Sequence, residues 1–241
     1  MNALIITLRP NAPLRLPIAY NYYIQSALYA AWRDAFPALH DEGYTDGTHS
    51  FRMFAFSPLQ GRYGVEGKEI VFEGAVSLEV RSPADELMKQ LASHLLQSGS
   101  LRVGRYELPV TDLRAADRLL FFPTARVRML GPVTAHDTSP DGKTVYYAPG
   151  EERFGELLAA NLAAKLRAAN VSAPPYLGLR PVGKPPRKVV TTFKGVHVTG
   201  YLGTFDMEAD PEALGFLYYA GLGTRNAQGF GMFDIERQPL Q

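Results

Sequence analysis

Between Gly221 and Gly231 the chain reads Gly-Leu-Gly-Thr-Arg-Asn-Ala-Gln-Gly-Phe-Gly. Two Gly-x-Gly pairs enclose a polar centre. Glycines tolerate positive φ and let backbone N–H groups come close to a phosphate. Arg225, Asn226 and Gln228 would add side-chain contacts. The spacing is not the dinucleotide fingerprint, which needs a preceding strand and a following helix, and no Gly-Lys-Ser/Thr marks a Walker loop. Two readings stay open on residues alone: a phosphate cradle, or a glycine-rich turn leading into a bulged strand.

Charge points the same way as the cradle. The formal net charge is +1, so the whole chain carries no nucleic-acid signature. Its distribution differs. From Leu157 to Thr204 there is no Asp or Glu, while Lys165, Arg167, Arg180, Lys184, Arg187, Lys188 and Lys194 all fall there. An acidic group, Asp206, Glu208, Asp210 and Glu212, follows. An acid-free basic stretch creates a local positive potential that the net charge hides, although a merely solvated basic face reads the same.

The chain has no cysteine, which excludes disulfides, Cys-zinc sites and cysteine nucleophiles. Five histidines remain. His40 and His49 lie in one polar stretch. A zinc site from these two and Asp41 matches no standard spacing, so no metal and no cofactor are expected. His94 lies beside the apolar face of a helix, His136 has no evident partner, and His197 alternates outward from a strand. The N-terminus lacks a basic region followed by a small-residue cleavage site, and no apolar run approaches the ~20 residues of a membrane span. A cytoplasmic protein is expected.

The elements that must position these residues repeat an order. Ala3–Leu8 is a short apolar strand. Tyr20–Phe36 has helical spacing, with Ile24, Ala27, Leu28, Ala31 and Ala35 on one face and Tyr22, Gln25, Ser26, Tyr29 and Arg33 opposite. Phe51–Ser57 and the alternating Ile70–Arg81 read as strands. Ser82 as N-cap and Pro83 at the first helical position open a helix through Leu87, Leu91 and Leu95. Leu101–Leu113 closes the unit. The second half runs Arg126–Leu130 strand, Glu151–Ala169 helix, a hairpin of Lys188–Thr192 and Val196–Phe205 turning at Lys194-Gly195, a helix from Asp210-Pro211 to Tyr219, and a strand from Phe230 to Glu236. The pattern predicts an α+β chain of two tandem ferredoxin-like (βαββαβ, RRM-like) domains, 1–118 and 119–241, joined near Ala115–Thr124.

A glycine loop of this form before the last strand of such a repeat resembles the repeat-associated (RAMP) superfamily. Three N-terminal segments sharpen the resemblance: Leu16-Pro17 with Tyr20-Asn21-Tyr22-Tyr23-Ile24-Gln25 and Leu28-Tyr29; Leu39-His40-Asp41-Glu42-Gly43; and Arg52-Met53-Phe54-Ala55-Phe56-Ser57-Pro58-Leu59. In this order they resemble the CRISPR repeat-processing endoribonucleases. The resemblance implies transesterification without a metal: the ribose 2′-OH attacks phosphorus, giving a 2′,3′-cyclic phosphate and a 5′-OH end. Such a step needs proton transfer at both oxygens and a donor for the phosphorane.

On that resemblance His40 is the first choice for proton transfer, with His49 the rival, since imidazole titrates near ~6.5. Tyr29 orients the 2′-OH or donates to a phosphate oxygen. Arg52 stands where some relatives carry a lysine; being always protonated, it stabilises charge rather than shuttling protons. RNA is expected on the loop residues Gly221, Gly223, Arg225, Asn226, Gln228, Gly229 and Gly231, and on the ribbon residues Arg180, Lys184, Arg187, Lys188 and Lys194. Tyr22, Tyr23 and Tyr176 are candidates to stack on bases. The partner implied is CRISPR repeat RNA, precursor and product, with a homodimer or effector-complex subunits also admitted. The competing reading is a non-catalytic scaffold that holds guide RNA.

Overall fold

The computed structural model describes residues 1–36, 43–116 and 119–236. The first half contains β1 (Ala3–Leu8), β2 (Leu14–Pro17), α1 (Asn21–Trp32), β3 (Tyr44–Thr45), β4 (Ser50–Phe51), β5 (Ala55–Phe56), β6 (Gln60–Glu66), β7 (Glu69–Arg81), α2 (Asp85–Ser98), β8 (Ser100–Val103) and β9 (Tyr106–Ala115). The second contains β10 (Thr124–Met129), β11 (His136–Thr138), β12 (Thr144–Tyr146), α3 (Glu152–Ala168), β13 (Leu177–Phe193), β14 (Val196–Ala209), α4 (Pro211–Ala220), a single 3-10 turn (Asn226–Gln228) and β15 (Phe233–Ile235).

The result is a mixed α+β fold with antiparallel sheets. Strand β7 is the spine of the first sheet. It pairs with β1 and β2 along one edge and with β5 and β6 along the other. Strand β9 pairs with the far side of β1 and with β8. The second sheet runs β13–β14–β10–β15. Each sheet takes one apolar helix pair. Ile24, Leu28 and Trp32 of α1 pack with Leu87, Leu91 and Leu95 of α2 over Ile6, Phe72 and Leu78. Leu158, Leu162 and Leu166 of α3 join Leu214 and Leu217 of α4 over Val127, Phe205 and Met207. The intervals of three and four along these helices are what put those side chains on one face. Each such Leu, fully buried, contributes about 1.5–3 kcal/mol.

Three sequence expectations need correction. Ser82 does not cap α2, and Pro83 is not its first residue. The helix begins at Asp85 after Ala84, which is extended. The Ser82 hydroxyl instead donates to Met53 O (2.6 Å) and accepts from Ala84 N–H (3.1 Å). Phe51–Ser57 is not one strand. Met53 takes φ of 50°, which splits it into β4 and β5 and sends the Met53 side chain into the second core cluster. Strands β2 and β6 were not anticipated; all seven residues of β6 are exposed, so no apolar alternation marks it.

The two sheets are joined through buried polar chemistry. Arg81, 1% exposed, bonds Glu79 Oε1 (2.6 Å) on its own strand. Across the junction it reaches Phe233 O (2.6 Å) and Asp234 Oδ1 (2.8 Å), and lies 3.8 Å from the Tyr218 ring centre. A buried guanidinium needs this many partners to offset its lost hydration.

Candidate active site

The glycine loop is the hub of the second junction, between α1 and the second half. Gln25 Nε2 donates to Ala227 O (2.8 Å) and Asn21 Nδ2 to Gln228 O (2.9 Å). Of the polar face of α1, Gln25 is thus buried against the loop, while Tyr22 and Arg33 stay exposed. From the other side, Lys165 of α3 donates to Gly221 O (2.7 Å), Gly223 O (2.8 Å) and Asn226 Oδ1 (2.6 Å). Asn226 Nδ2 bonds Leu222 O and Phe230 O, each at 3.1 Å. A Cβ at Gly231 would collide with Leu222 O, and one at Gly229 would lie 2.5 Å from Asn21 Nδ2; both residues have positive φ, so glycine is required twice over.

Lys165 is thus no part of a basic surface. Burial draws its pKa down to about 7, and three oxygens at hydrogen-bond distance work against that loss. Asn226, Gly221, Gly223, Gly229 and Gly231 are buried, whereas Thr224, Arg225 and Gln228 remain half-open.

Those three residues line a cleft of about 850 Å³ between the halves. Tyr29, His49 and Arg52 come from the first half, and His136, Lys194, Thr224, Arg225 and Gln228 from the second. Tyr29 rests edge-on against Phe54, with ring centres 5.6 Å apart. Burial raises its pKa, opposed by the charge of Arg52 and a hydrogen bond to it. Arg52 Nη1 also donates to Ser50 Oγ at 2.5 Å.

His49 owes its place to Asp46. The Asp46 carboxylate accepts from the N–H groups of His49 (2.7 Å) and Thr48 (3.0 Å), and Arg167 of α3 bonds its other oxygen at 2.8 Å. The two backbone bonds lead, with Arg167 assisting, in holding the Asp46 pKa well below the usual carboxylate range. The sign of the linkage follows. The folded pKa is below the unfolded value of ~3.9, so the contribution is complete above about pH 4 and is lost as pH falls through the folded pKa. Asp46→Asn keeps an acceptor but removes the titration. Urea unfolding from pH 5 to pH 2 should therefore weaken less steeply in the variant; parallel acid limbs would contradict this role.

The sequence offers His136 no evident partner; in the structure its Nδ1 lies 3.1 Å from Thr224 Oγ1. Burial, then the charge of Arg225, lowers its pKa, with Asp137 opposing. Of the basic ribbon, Lys194 alone among the residues named from sequence lines the cleft, its Nζ 5.0 Å from the Tyr22 ring centre. Its φ of 48° and the 81° of Gly195 form the tight turn that brings it there. Arg180 pairs with Asp206 at 3.3 Å. Lys184 sits on a bulge where the β13–β14 register slips between Val182 and Arg187, at the Gly-Lys-Pro-Pro run. Arg187 and Lys188 are exposed farther along the ribbon. His94 is half-buried, and His197 is exposed, as is Val196 beside it, so only Val198 keeps the expected alternation. His40 lies outside the described residues. Of the residues flanking its segment, Phe36 lines a separate groove with Tyr29 and Lys194, and Gly43 abuts Arg52.

No helix among the described residues is long and apolar enough to cross a membrane. Comparison with known proteins gives one consistent answer. A curated relative, a CRISPR-associated endoribonuclease Cas6 of Methanocaldococcus jannaschii, is 27% identical over 90% of this chain and 86% of its own length. A solved Cas6-related protein from Pyrococcus furiosus superposes with a TM-score of 0.85 over 99% of both chains at 18% identity. A RAMP protein described as binding different RNA substrates gives 0.83 over 98% of this chain and all of its own, also at 18%. Residues 15–114 match the family described as CRISPR-associated protein Cas6, N-terminal, and residues 120–235 match CRISPR associated protein Cas6, C-terminal. With both halves matched in order and the fold shared from end to end, the chain belongs to the Cas6 family of CRISPR-associated proteins.

Proposed function

We propose that this protein is an endoribonuclease that cuts CRISPR repeat RNA within its precursor transcript to make guide RNAs. The cut is a metal-independent transesterification by the ribose 2′-OH, leaving a 2′,3′-cyclic phosphate and a 5′-OH end. The observation that carries this reading is the cleft in which Tyr29 and Arg52 interact beside His49, facing Lys194, Thr224 and Arg225 of the other half. A phosphodiester there would meet a phenol able to orient the 2′-OH, a permanent cation for the phosphorane, and an imidazole for proton transfer. His40 is the preferred proton-transfer residue and His49 the alternative. The cationic groups of Lys194 and Arg225 bind the strand, with Gln228 assisting and Arg180, Lys184, Arg187 and Lys188 extending the track along the ribbon.

The two ferredoxin-like domains, 1–118 and 119–241, form the walls. The strand orders support this: β6–β7–β1–β9 and β13–β14–β10–β15 place the corresponding strands of each half in the same sequence. Work on a transcript assigns the protein to the cytoplasm.

The test uses end-labelled repeat RNA in excess chelator, alongside the same RNA with one 2′-deoxy sugar at the cut. The first should be cleaved to a cyclic phosphate and the second should survive. Cleavage of the deoxy substrate would overturn the mechanism, and dependence on added metal would overturn metal independence.

A further inference from the structure

The first turn of α1 and the tip of the β13–β14 ribbon meet in a row of rings and cations that begins at the cleft with Lys194 and continues outside it. Lys194 holds its Nζ 5.0 Å from the Tyr22 ring centre. Tyr22 meets the buried Phe193 edge-on at 6.1 Å and leans on Tyr23 at 5.8 Å. Tyr23 lies against Gly104 in the β8–β9 turn, where φ is 59° and a Cβ would come 3.0 Å from the ring. Glycine is therefore what seats Tyr23. The next residue, Arg105, is exposed, with its guanidinium 5.0 Å from the Tyr106 ring centre. The turn thus brings a second exposed cation to the far end of the row.

The row is continuous with the cleft. Tyr22 lines the groove of about 340 Å³ that shares Gln25, Tyr29 and Lys194 with the cleft, so a strand passing Tyr29 meets Tyr22 next. Among the described residues lining either space there is no carboxylate. Glu69, whose charge reaches Arg105, is itself paired with Arg15 at 3.5 Å. Tyr176 makes the contrast. It is the more exposed ring, at 55% against 40% for Tyr22, but it sits against the Glu208 carboxylate, which repels phosphate. Rings flanked by cations suit unpaired nucleotides: bases stack on the rings while the cations take the backbone.

We infer that Tyr22 is a stacking platform for an unpaired nucleotide flanking the cut, and that Tyr23 and Arg105 carry the strand onward from it. The magnitudes favour an exchange at the ring. An exposed cation–π contact is worth about two- to fivefold in an equilibrium, and a stacked base about five- to hundredfold. A base therefore displaces the Lys194 ammonium from Tyr22, and the freed ammonium takes the neighbouring phosphate. The platform deepens the nuclease reading and rests on it for the identity of the strand. By holding the flank it fixes which phosphate lies beside Tyr29 and Arg52.

The test separates binding from cutting. Repeat RNA made uncleavable by 2′-O-methylation of every ribose would be scanned with single abasic sites. Kd would be measured for the wild type, for Tyr22→Phe and for Tyr22→Leu, which keeps an apolar contact with Phe193 but has no aromatic face. One abasic position should weaken wild-type binding about five- to hundredfold. Tyr22→Leu should weaken binding of the intact strand by a similar factor and abolish the penalty at that position, and Tyr22→Phe should keep both, because the ring and not the hydroxyl does the stacking. Arg105→Gln should flatten the slope of log Kd against log salt by about 0.7. The inference is overturned if no abasic penalty depends on residue 22, if Tyr22→Phe behaves like Tyr22→Leu, or if the salt slope of Arg105→Gln is that of the wild type. Parallel incubation with all-ribose RNA reports on cutting. A protein that shows the residue-22 penalty but never cleaves retains the platform and refutes only the nuclease reading; one that cleaves without the penalty does the reverse.

Discussion

His40→Ala should leave repeat RNA bound and almost uncut, with the single-turnover rate down by about 10²–10⁴ and Kd little changed. His49→Ala should cost less. The argument is one of supply: the transition state needs a group that both takes and gives a proton near neutral pH, and Arg52 cannot give one up. Tyr29 is a poor substitute, since burial raises its pKa and makes its phenolate harder to form. Of the residues flanking the segment that carries His40, Phe36 shares a groove with Tyr29 and Gly43 abuts Arg52. His49 lines the same cleft, but its ring is largely exposed and its Nδ1 faces Asp46 at 3.5 Å. The variants would be compared under single-turnover conditions across pH 5–9. An essential imidazole acting as base gives an acid limb to the rate profile. Activity lost only in His49→Ala would exchange the two roles. A limb displaced to lower pH, with both alanine variants active, would move the role to His136, whose pKa burial and Arg225 depress.

How much of this arrangement could be read from residues alone depends on the kind of signal. Helix faces were legible because apolar periodicity is local: Leu158, Leu162 and Leu166 advertise a buried stripe without reference to anything else. The Lys194-Gly195 turn and the Asp210-Pro211 helix start were legible for the same reason. Asp210 does cap its helix, accepting from Glu212 and Ala213 N–H groups. Strand β6 was not, because an edge strand exposed along its length has no alternation to show. Ser82 misled because Ser-Pro is a sound local signal that a distant carbonyl, Met53 O, outbid.

The cleft was half legible. Tyr29 and Arg52 meet as family motifs suggested, yet nothing in the sequence says that residue 136 closes on residue 224 or that Asn161 turns inward. These are pairings across tens of residues, set by sheet order. The glycine loop shows the limit best. Its glycines announce a close approach, and the natural guess is approach to phosphate. In the structure the approach is first to the protein itself: Leu222 O against Gly231, Asn21 against Gly229. Composition cannot distinguish a backbone that admits a ligand from one that admits another stretch of chain.

The lysine inside that loop carries the largest expected effect on the fold. Lys165→Met fills nearly the same space but leaves Gly221 O, Gly223 O and Asn226 Oδ1 without their donor in a site closed to water. Orphaned buried acceptors cost about 1–3 kcal/mol each, and the neighbouring elements relieve only part of that. A loss of about 3–5 kcal/mol in unfolding free energy is expected, read as a drop in urea midpoint at unchanged m-value. The damage should also be directional. Asn226 spans the loop from Leu222 O to Phe230 O, and the 3-10 turn it begins carries Ala227 and Gln228 to Gln25 and Asn21 of α1. Releasing it loosens the contact between halves before either core, so amide exchange should accelerate in residues 221–231 and at the α1 face ahead of β7 or β14. Variant protein still folded at low temperature should bind repeat RNA weakly, because Thr224, Arg225 and Gln228 lose their fixed positions on the cleft wall. If K165M melted like the wild type and kept slow exchange through the loop, the three bonds would be incidental, and the loop would owe its shape to glycine packing alone.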